Sequence, residues 1–233
     1  MKAIRSFYMN LDMGDLVYSL LFCKILGTER VYVDGGEGTV KFNWNSADFI
    51  LPLLQSQNYV EILPYDNQEF DIDYGIHPEN IRVEAGYNLV SYHASKFDIS
   101  FDDYGVNKPW LSLDTVDDSY IKSKKVLINR THRYRGNDTF YYDFLKYYKP
   151  SELVFCGIDE EYDSFCSDFN ANIDFLKTEN SLELATLINS VPVFVGNQSL
   201  ICAIAQGLGK TCYIETGRLA ANYLFNRQNI LYF

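Results

Sequence analysis

The sequence predicts an α/β protein made of two parallel-sheet halves, and three observations carry that reading. Short apolar runs alternate with helical patterns through residues 126–214. A strand–turn–helix pattern also opens the chain, over residues 3–26. The charge divides the chain: through Asp118 there are 19 acidic against 8 basic residues, a balance of −11, and from Ser119 onward 12 against 12, a balance of zero. Alternation of this kind implies parallel strands joined by right-handed helical crossovers. The charge split implies two halves with two tasks.

With 233 residues, 47% of them hydrophobic and 16% aromatic, the chain can bury a sizeable core. No apolar run reaches membrane-spanning length, and the first fifteen residues show no signal-peptide pattern, so a cytoplasmic protein is expected. The five cysteines, Cys23, Cys156, Cys166, Cys202 and Cys212, form no C-x-x-C pair, which points to reduced thiols and no zinc site. An acidic first half does not advertise the basic face that a nucleic acid needs.

Residues 3–8 read as the first strand. Asn10-Leu11-Asp12-Met13-Gly14-Asp15 is the turn after it, and residues 16–26 form a helix with Leu16, Val17, Leu20, Leu21 and Ile25 on its buried face. Gly27 stops that helix. Residues 31–33 are a second strand, followed by a glycine-rich loop at 34–38 that lacks the G-x-G-x-x-G spacing of a dinucleotide site. Helices are expected at 47–55 and 88–97, and a strand at 59–62. Asp71-Ile72-Asp73 reads as an alternating strand rather than a cation motif. Pro109-Trp110-Leu111 begins the crossing into the second half, and 112–124 is the linker.

The second half is written more plainly. Strands are expected at 126–129, 153–156, 173–176, 192–195 and 212–214, with helices at 140–148 and 181–189. Ligands of such sheets sit beyond the carboxyl ends of the strands. The loop after the first of these strands holds Arg130, Thr131, His132, Arg133 and Arg135, and guanidinium forks with a hydroxyl among them suit a diphosphate. After the next strand, Asp159 and Glu160 suit a helix N-terminus, and Glu161 suits either that or a ribose diol. The most informative stretch is FVGNQSLICAIAQGLGK, residues 194–210. An apolar strand enters the turn Gly196-Asn197-Gln198-Ser199, and a helix of small and apolar residues follows. The N–H groups that open such a helix have no intrahelical partner and face outward, as an anion site requires. Ala203, Ala205 and Gly207 let the helix lie close to a neighbour.

Taken in order, Met13-Gly14-Asp15, the Asn129-Arg130-Thr131 loop, Phe194–Ser199 and Ala203–Lys210 resemble the heptosyltransferase-like glycosyltransferases (glycosyltransferase family 9, GT-B fold), in a compact bacterial or phage-like branch. The resemblance covers most of the chain. It implies a GT-B-like fold, two Rossmann-like parallel-sheet domains facing each other across a cleft. Residues 1–118 would be the acceptor-side domain, 119–215 the nucleotide-sugar domain, and 216–233 a segment returning to the first domain through Leu219, Tyr223, Leu224 and Phe225. It further implies an inverting, metal-independent transfer of a sugar from a nucleotide-diphospho-sugar to a hydroxyl of a saccharide or other acceptor, with no cofactor besides the donor. In that family the aspartate of M-G-D is the proposed general base, which here is Asp15. The donor would be held by Arg130, Thr131, Arg133, Arg135, Gly196, Asn197, Gln198 and Ser199, with Met13, Gly14 and His93 on the acceptor side. The family's turn reads D-[ST]-G-x-x-H, whereas this chain has Asn197-Gln198-Ser199-Leu200-Ile201-Cys202, without the aspartate and histidine. Two other readings share these features. One is glycosylation of a modified (hydroxymethylated) DNA base, disfavoured by the acidic first half, with Lys96 and Lys108 as its available cations. The other is a non-catalytic nucleotide-binding protein that kept the fold.

Overall fold

The computed structural model describes residues 6–9, 12–34, 44–73, 108–113, 119–136, 138–217, 225 and 227–233. Two sheets are present, and every strand pair in them is parallel. The first sheet contains β1 (Ser6–Met9), β2 (Arg30–Val33), β3 (Glu61–Pro64) and β4 (Ile72–Asp73) in the order β3-β2-β1-β4. The second contains β5 (Val126–Asn129), β6 (Leu153–Cys156), β7 (Asp174–Leu176), β8 (Val193–Asn197), β9 (Thr211–Glu215) and β10 (Ile230–Tyr232) in the order β10-β9-β8-β5-β6-β7.

Each half threads helices between its strands. The first has α1 (Met13–Leu26) and α2 (Trp44–Gln55). The second has α3 (Ser119–Lys122), α4 (Thr139–Leu145), α5 (Asp159–Phe169), α6 (Ser181–Ser190) and α7 (Leu200–Gly207). β5 and β6 match their expected bounds because all four residues of each are buried, and a strand covered on both faces reads as a continuous apolar run. Other edges move. α1 starts at Met13 rather than at the first leucine, because Asp12 takes the N-cap position and its carbonyl accepts from the Leu16 N–H at 2.9 Å. β8 continues through Gly196 and Asn197, which the sequence pattern assigns to the turn, because Asn129 pairs with Gly196 and extends the ladder. Lys124, in the expected linker, is buried, and its ammonium is held by the Ser151 carbonyl at 2.8 Å and by the Asp174 carboxylate. The expected helix at 88–97 lies outside the described residues.

The halves share one core. Leu16 to Cys23 of α1 are all buried, as are Ile201 to Gly207 of α7, and these two helices pack directly on each other. Burying a large apolar side chain contributes roughly 1.5–3 kcal/mol, so this seam is a major part of the stability. Gly207 lets the crossing segment lie against α7: a Cβ there would lie 2.7 Å from Cδ1 of Leu111. A second core on the other face of the larger sheet is aromatic, with Tyr141, Phe144, Phe155, Phe165 and Phe169.

The crossing between halves is bolted to both. The Trp110 indole N–H donates to the Val17 carbonyl of α1 at 2.9 Å, and the backbone N–H groups of Trp110 and Leu111 donate to the Gly207 carbonyl at 2.9 and 3.0 Å. Of the segment expected to return to the first half, Phe225 packs on the rings of Tyr18 and Trp110 at 5.6 and 6.1 Å, while Ile230–Tyr232 pairs with β9. Leu219, Tyr223 and Leu224 lie outside the described residues.

Candidate functional site

In an open parallel sheet the strand order reverses at one point, and the carboxyl ends there leave a crevice for ligands. The first sheet reverses at β1 and the second between β5 and β8. The three sequence segments singled out above all follow these strands. Asp12–Asp15 follows β1, residues 130–136 follow β5, and Gln198 and Ser199 follow β8.

The two reversal points meet. A Cβ built on Gly14 would stand 3.8 Å from the Leu200 N and Cα and 3.9 Å from the Ser199 carbonyl oxygen, so the first turns of α1 and α7 are in van der Waals contact. Asp12 occupies the N-cap position of α1, Met13 and Gly14 open the helix, and Asp15 lies in its first turn. Asp15 is therefore not the cap of its own helix, and the Asp12 side chain makes no capping hydrogen bond. Deeper along the seam, the Tyr18 hydroxyl donates to Oε1 of Gln206 at 2.6 Å, and burial pushes its pKa well up.

The turn after β8 is tied to the loop after β5. Ser199 Oγ accepts from the Cys202 N–H at 3.1 Å, capping α7, and donates to Oδ1 of Asn129 at 2.9 Å. The Nδ2 of Asn129 donates to the Cys156 carbonyl at 2.9 Å. Asn197 is fully buried. Its Oδ1 accepts from the Thr131 N–H at 2.9 Å, and its Nδ2 donates to the carbonyls of Thr131 and Arg133 at 3.0 and 2.7 Å. Gly196 permits this closeness, since a Cβ there would fall 2.1 Å from the Asn129 carbonyl oxygen. Oε1 of Gln198 is buried and has no hydrogen-bond partner among the described residues.

The three arginines of the loop have three different fates. Arg130 is 1% exposed and turns inward to the fully buried Glu215, with Nε and Nη2 at 2.8 and 2.6 Å from its two oxygens, while Nη2 also reaches Asp138 at 2.5 Å. Burial works against its charge, and the hydrogen bonds and charge of Glu215, followed by Asp138, outweigh that, so its pKa is raised. Arg135 lies across α5 and donates to Asp168 and Ser164 at 3.1 Å each, with His132 Nδ1 3.0 Å away. Arg133 is exposed, and its guanidinium stands 5.5 Å from the Tyr134 ring centre with no hydrogen bond to the described residues. Glu161 sits half-buried in the first turn of α5. Burial pushes its pKa up, against the Ile158 N–H, His132, Asn129 and Arg135, which favour its charged form.

The structure thus brings the Met13-Gly14-Asp15 turn beside Ser199 and Leu200, and ties Thr131 and the Arg133 main chain to Asn197 at the end of β8. Arg130 and Arg135 spend their forks on carboxylates of the same half. His93 lies outside the described residues. Sequence reasoning quoted Asn129 in the loop motif but gave it no role, and it passed over Glu215. Both are polar residues that close a largely apolar strand at its carboxyl end, a signal that was available.

No protein-family model matches the sequence, and no curated protein matches it. Solved structures do. A glycosyl transferase of family 9 from Veillonella parvula aligns with a TM-score of 0.64 at 10% identity, covering 100% of this chain and 88% of that one. The Escherichia coli heptosyltransferase WaaC, solved with ADP-2-deoxy-2-fluoro heptose, aligns at 0.55 and 11% identity, covering 99% and 93%. The dodecameric, iron-containing glycosyltransferase TibC of enterotoxigenic E. coli aligns at 0.58 and 12% identity, covering 98% of this chain but 62% of its own. Among the described residues of the present chain, no group of three or more His, Cys, Asp or Glu is placed to hold a metal ion. Two parallel sheets, joined through the starts of α1 and α7, give this chain the GT-B-like α/β fold of the family 9 glycosyltransferases and heptosyltransferases.

Proposed function

We propose that the chain is a glycosyltransferase that moves a sugar from a nucleotide-diphospho-sugar to an acceptor hydroxyl, with inversion and without a divalent cation. The observation that carries this reading is the contact between the two helix starts, which brings the Asp15 turn of α1 beside Ser199 and Leu200 of α7. The solved heptosyltransferase with a bound ADP-heptose analogue supports the donor class. Residues 1–118 take the acceptor and residues 119–215 the donor.

The chemistry follows from the groups present. A carboxylate in the first turn of α1 is kept ionised by the helix dipole, and it accepts the proton of the attacking acceptor hydroxyl. That oxygen forms a bond to the anomeric carbon as the bond from that carbon to the diphosphate oxygen breaks. The departing diphosphate carries the charge, and it meets Arg133 together with the N–H groups that open α7. Fixed donors aimed at a developing anion are among the strongest sources of rate acceleration in enzymes, and here they fill the role that a divalent cation fills elsewhere. Ser199 already engages the Cys202 N–H, which leaves those of Leu200 and Ile201 for the ligand.

The test is calorimetric titration with a panel of nucleoside diphosphates, followed by hydrolysis and transfer assays with the matching nucleotide-sugars and determination of the anomeric configuration of the product. Binding of one nucleoside diphosphate and transfer with inversion are expected. Absence of both would overturn the reading. Binding without turnover would leave a nucleotide-binding protein on this fold.

A further inference from the structure

We propose that Asn197 and Glu215 are positioning residues that hold the 130–136 loop in its diphosphate-binding shape before any donor arrives, so that Arg133 is presented ready for the phosphates. The inference rests on the reading of this loop as the diphosphate site. Nothing in that reading requires these two side chains to touch the donor.

The two residues close strands β8 and β9, which are neighbours in the sheet, and both are fully buried. Asn197 grips the front of the loop through its main chain. Besides the three bonds to the Thr131 N–H and the two carbonyls, its Oδ1 accepts from Thr131 Oγ1 at 3.1 Å. Glu215 grips the two ends. One end is the Arg130 guanidinium, and the other is the Gly136 N–H, which donates to Oε1 at 2.6 Å. Tyr141 adds its hydroxyl at 3.3 Å to the same carboxylate. The loop is pressed close at both places. A Cβ on Gly136 would lie 2.7 Å from the Thr216 carbonyl oxygen, and one on Gly217 would lie 2.5 Å from that of Tyr134, whose φ is +60°.

Seven hydrogen bonds from two side chains therefore reach the loop, and they engage its main chain, Thr131 and Arg130. Arg133, at the crest, is the arginine whose fork they leave unspent. A preformed loop spares the binding step the cost of ordering it. The chemistry of position 197 follows as well. An amide can both accept from an N–H and donate to two carbonyls, whereas a carboxylate would set its charge against the Thr131 and Arg133 carbonyl oxygens with nothing to donate. The asparagine that replaces the family's aspartate is thus the side chain this loop needs.

The experiment is a double-mutant cycle read by calorimetry with ADP and with UDP as probes, alongside thermal melting and circular dichroism. Arg133→Ala should weaken the better-bound nucleotide by about tenfold or more, as expected for a charge-assisted contact. Asn197→Asp should weaken it to a similar extent. The Arg133→Ala/Asn197→Asp double variant should bind no worse than Arg133→Ala alone, because Asn197 acts through Arg133. Independent, multiplying losses would overturn the proposal. If Asn197→Asp does not fold, Glu215→Gln enters the same cycle with the same expectation. Amide hydrogen exchange gives a second readout: the Thr131 N–H should be protected in the nucleotide-free protein, and fast exchange there would overturn the proposal. Unchanged affinity in Arg133→Ala, or no binding of either nucleotide by the unaltered protein, would overturn the diphosphate reading and this inference with it.

Discussion

The helices α1 and α7 begin side by side, yet they begin differently. α7 is capped by its own Ser199, whose hydroxyl is also fastened to Asn129 of the neighbouring strand. α1 has an aspartate at the equivalent position, and that side chain makes no capping bond. The second half thus presents a rim where Asn129, Asn197, Ser199 and Glu215 are each locked by hydrogen bonds. The first half presents Asp12, whose side chain its own helix does not use as a cap. Locked groups suit a ligand that is alike in every turnover, as a nucleoside diphosphate is.

The comparison can be broken most violently at Gly196. Gly196→Val drives a side chain into the Asn129 carbonyl, and the loss should be about 3 kcal/mol or more, measured by chemical denaturation or seen as failure to recover folded protein. A stable Gly196→Val protein would mean that β5 and β8 do not pair as described.

The start of α1 is tested next. Asp15→Asn should lower turnover by about 10²–10⁴-fold, the usual contribution of a general base, with donor affinity little changed. Asp12→Asn, one position outside the helix, should keep most of the turnover. If the two variants exchange these outcomes, Asp12 is the base.

Capping gives a smaller and cleaner contrast. Ser199→Ala removes a cap that is in use and should cost about 1 kcal/mol of stability. Asp12→Ala removes a side chain that does not cap and should change stability by less than about 0.5 kcal/mol. Equal costs at the two sites would erase the difference from which the comparison starts.

The smallest expected effect is a pH slope. Burial raises the pKa of Glu161 in the folded protein, so the native state holds this proton to higher pH than the unfolded chain does. Stability should then fall as pH rises through the interval between the ordinary glutamate value and the raised one. Glu161→Gln should flatten that part of the profile and leave neutral-pH stability unchanged or slightly higher. A profile unchanged by the substitution would place Glu161 in water rather than against Asn129.

How much of this was legible in the sequence depended on the range of the interaction. β5 and β6 could be read to the residue because burial on both faces leaves an unbroken apolar run. Gly27 was legible as a stop, and it adopts the left-handed conformation at φ 63° with its N–H on the Cys23 carbonyl. The three acids at 159–161 were legible as complements to a helix start, and α5 begins on them. β10 was not legible, because Ile230–Tyr232 is short and its partner β9 is set by the sheet rather than by neighbouring residues. The fate of Arg130 was not legible either. Three arginines in six residues look alike in sequence, and what separates them is a glutamate 85 positions away. Asn197 was recognised as part of the turn, but its four bonds to the loop after β5 span 64 to 66 residues. Local pattern names the segments, and long-range hydrogen bonding decides what each side chain in them is left to do.

The crossing at 108–113 has a consequence for modularity. Besides Val17 and Gly207, this short stretch takes the Lys24 ammonium on the Pro109 carbonyl at 3.1 Å, the Tyr59 hydroxyl on the Trp110 carbonyl at 3.0 Å and the Gln57 amide oxygen on the Ser112 N–H at 3.0 Å. Arg227, from the far end of the chain, donates to the Lys108 and Gln206 carbonyls at 3.2 and 2.8 Å. A linker built this way is a keystone rather than a tether. The core between the two sheets belongs to both halves, so severing the chain here would strip α1 and α7 of their shared covering at once. Swapping one half for that of a relative would demand a matching Trp110, Gly207 and Tyr18 in the graft. The two lobes can be cut and joined only as one folding unit.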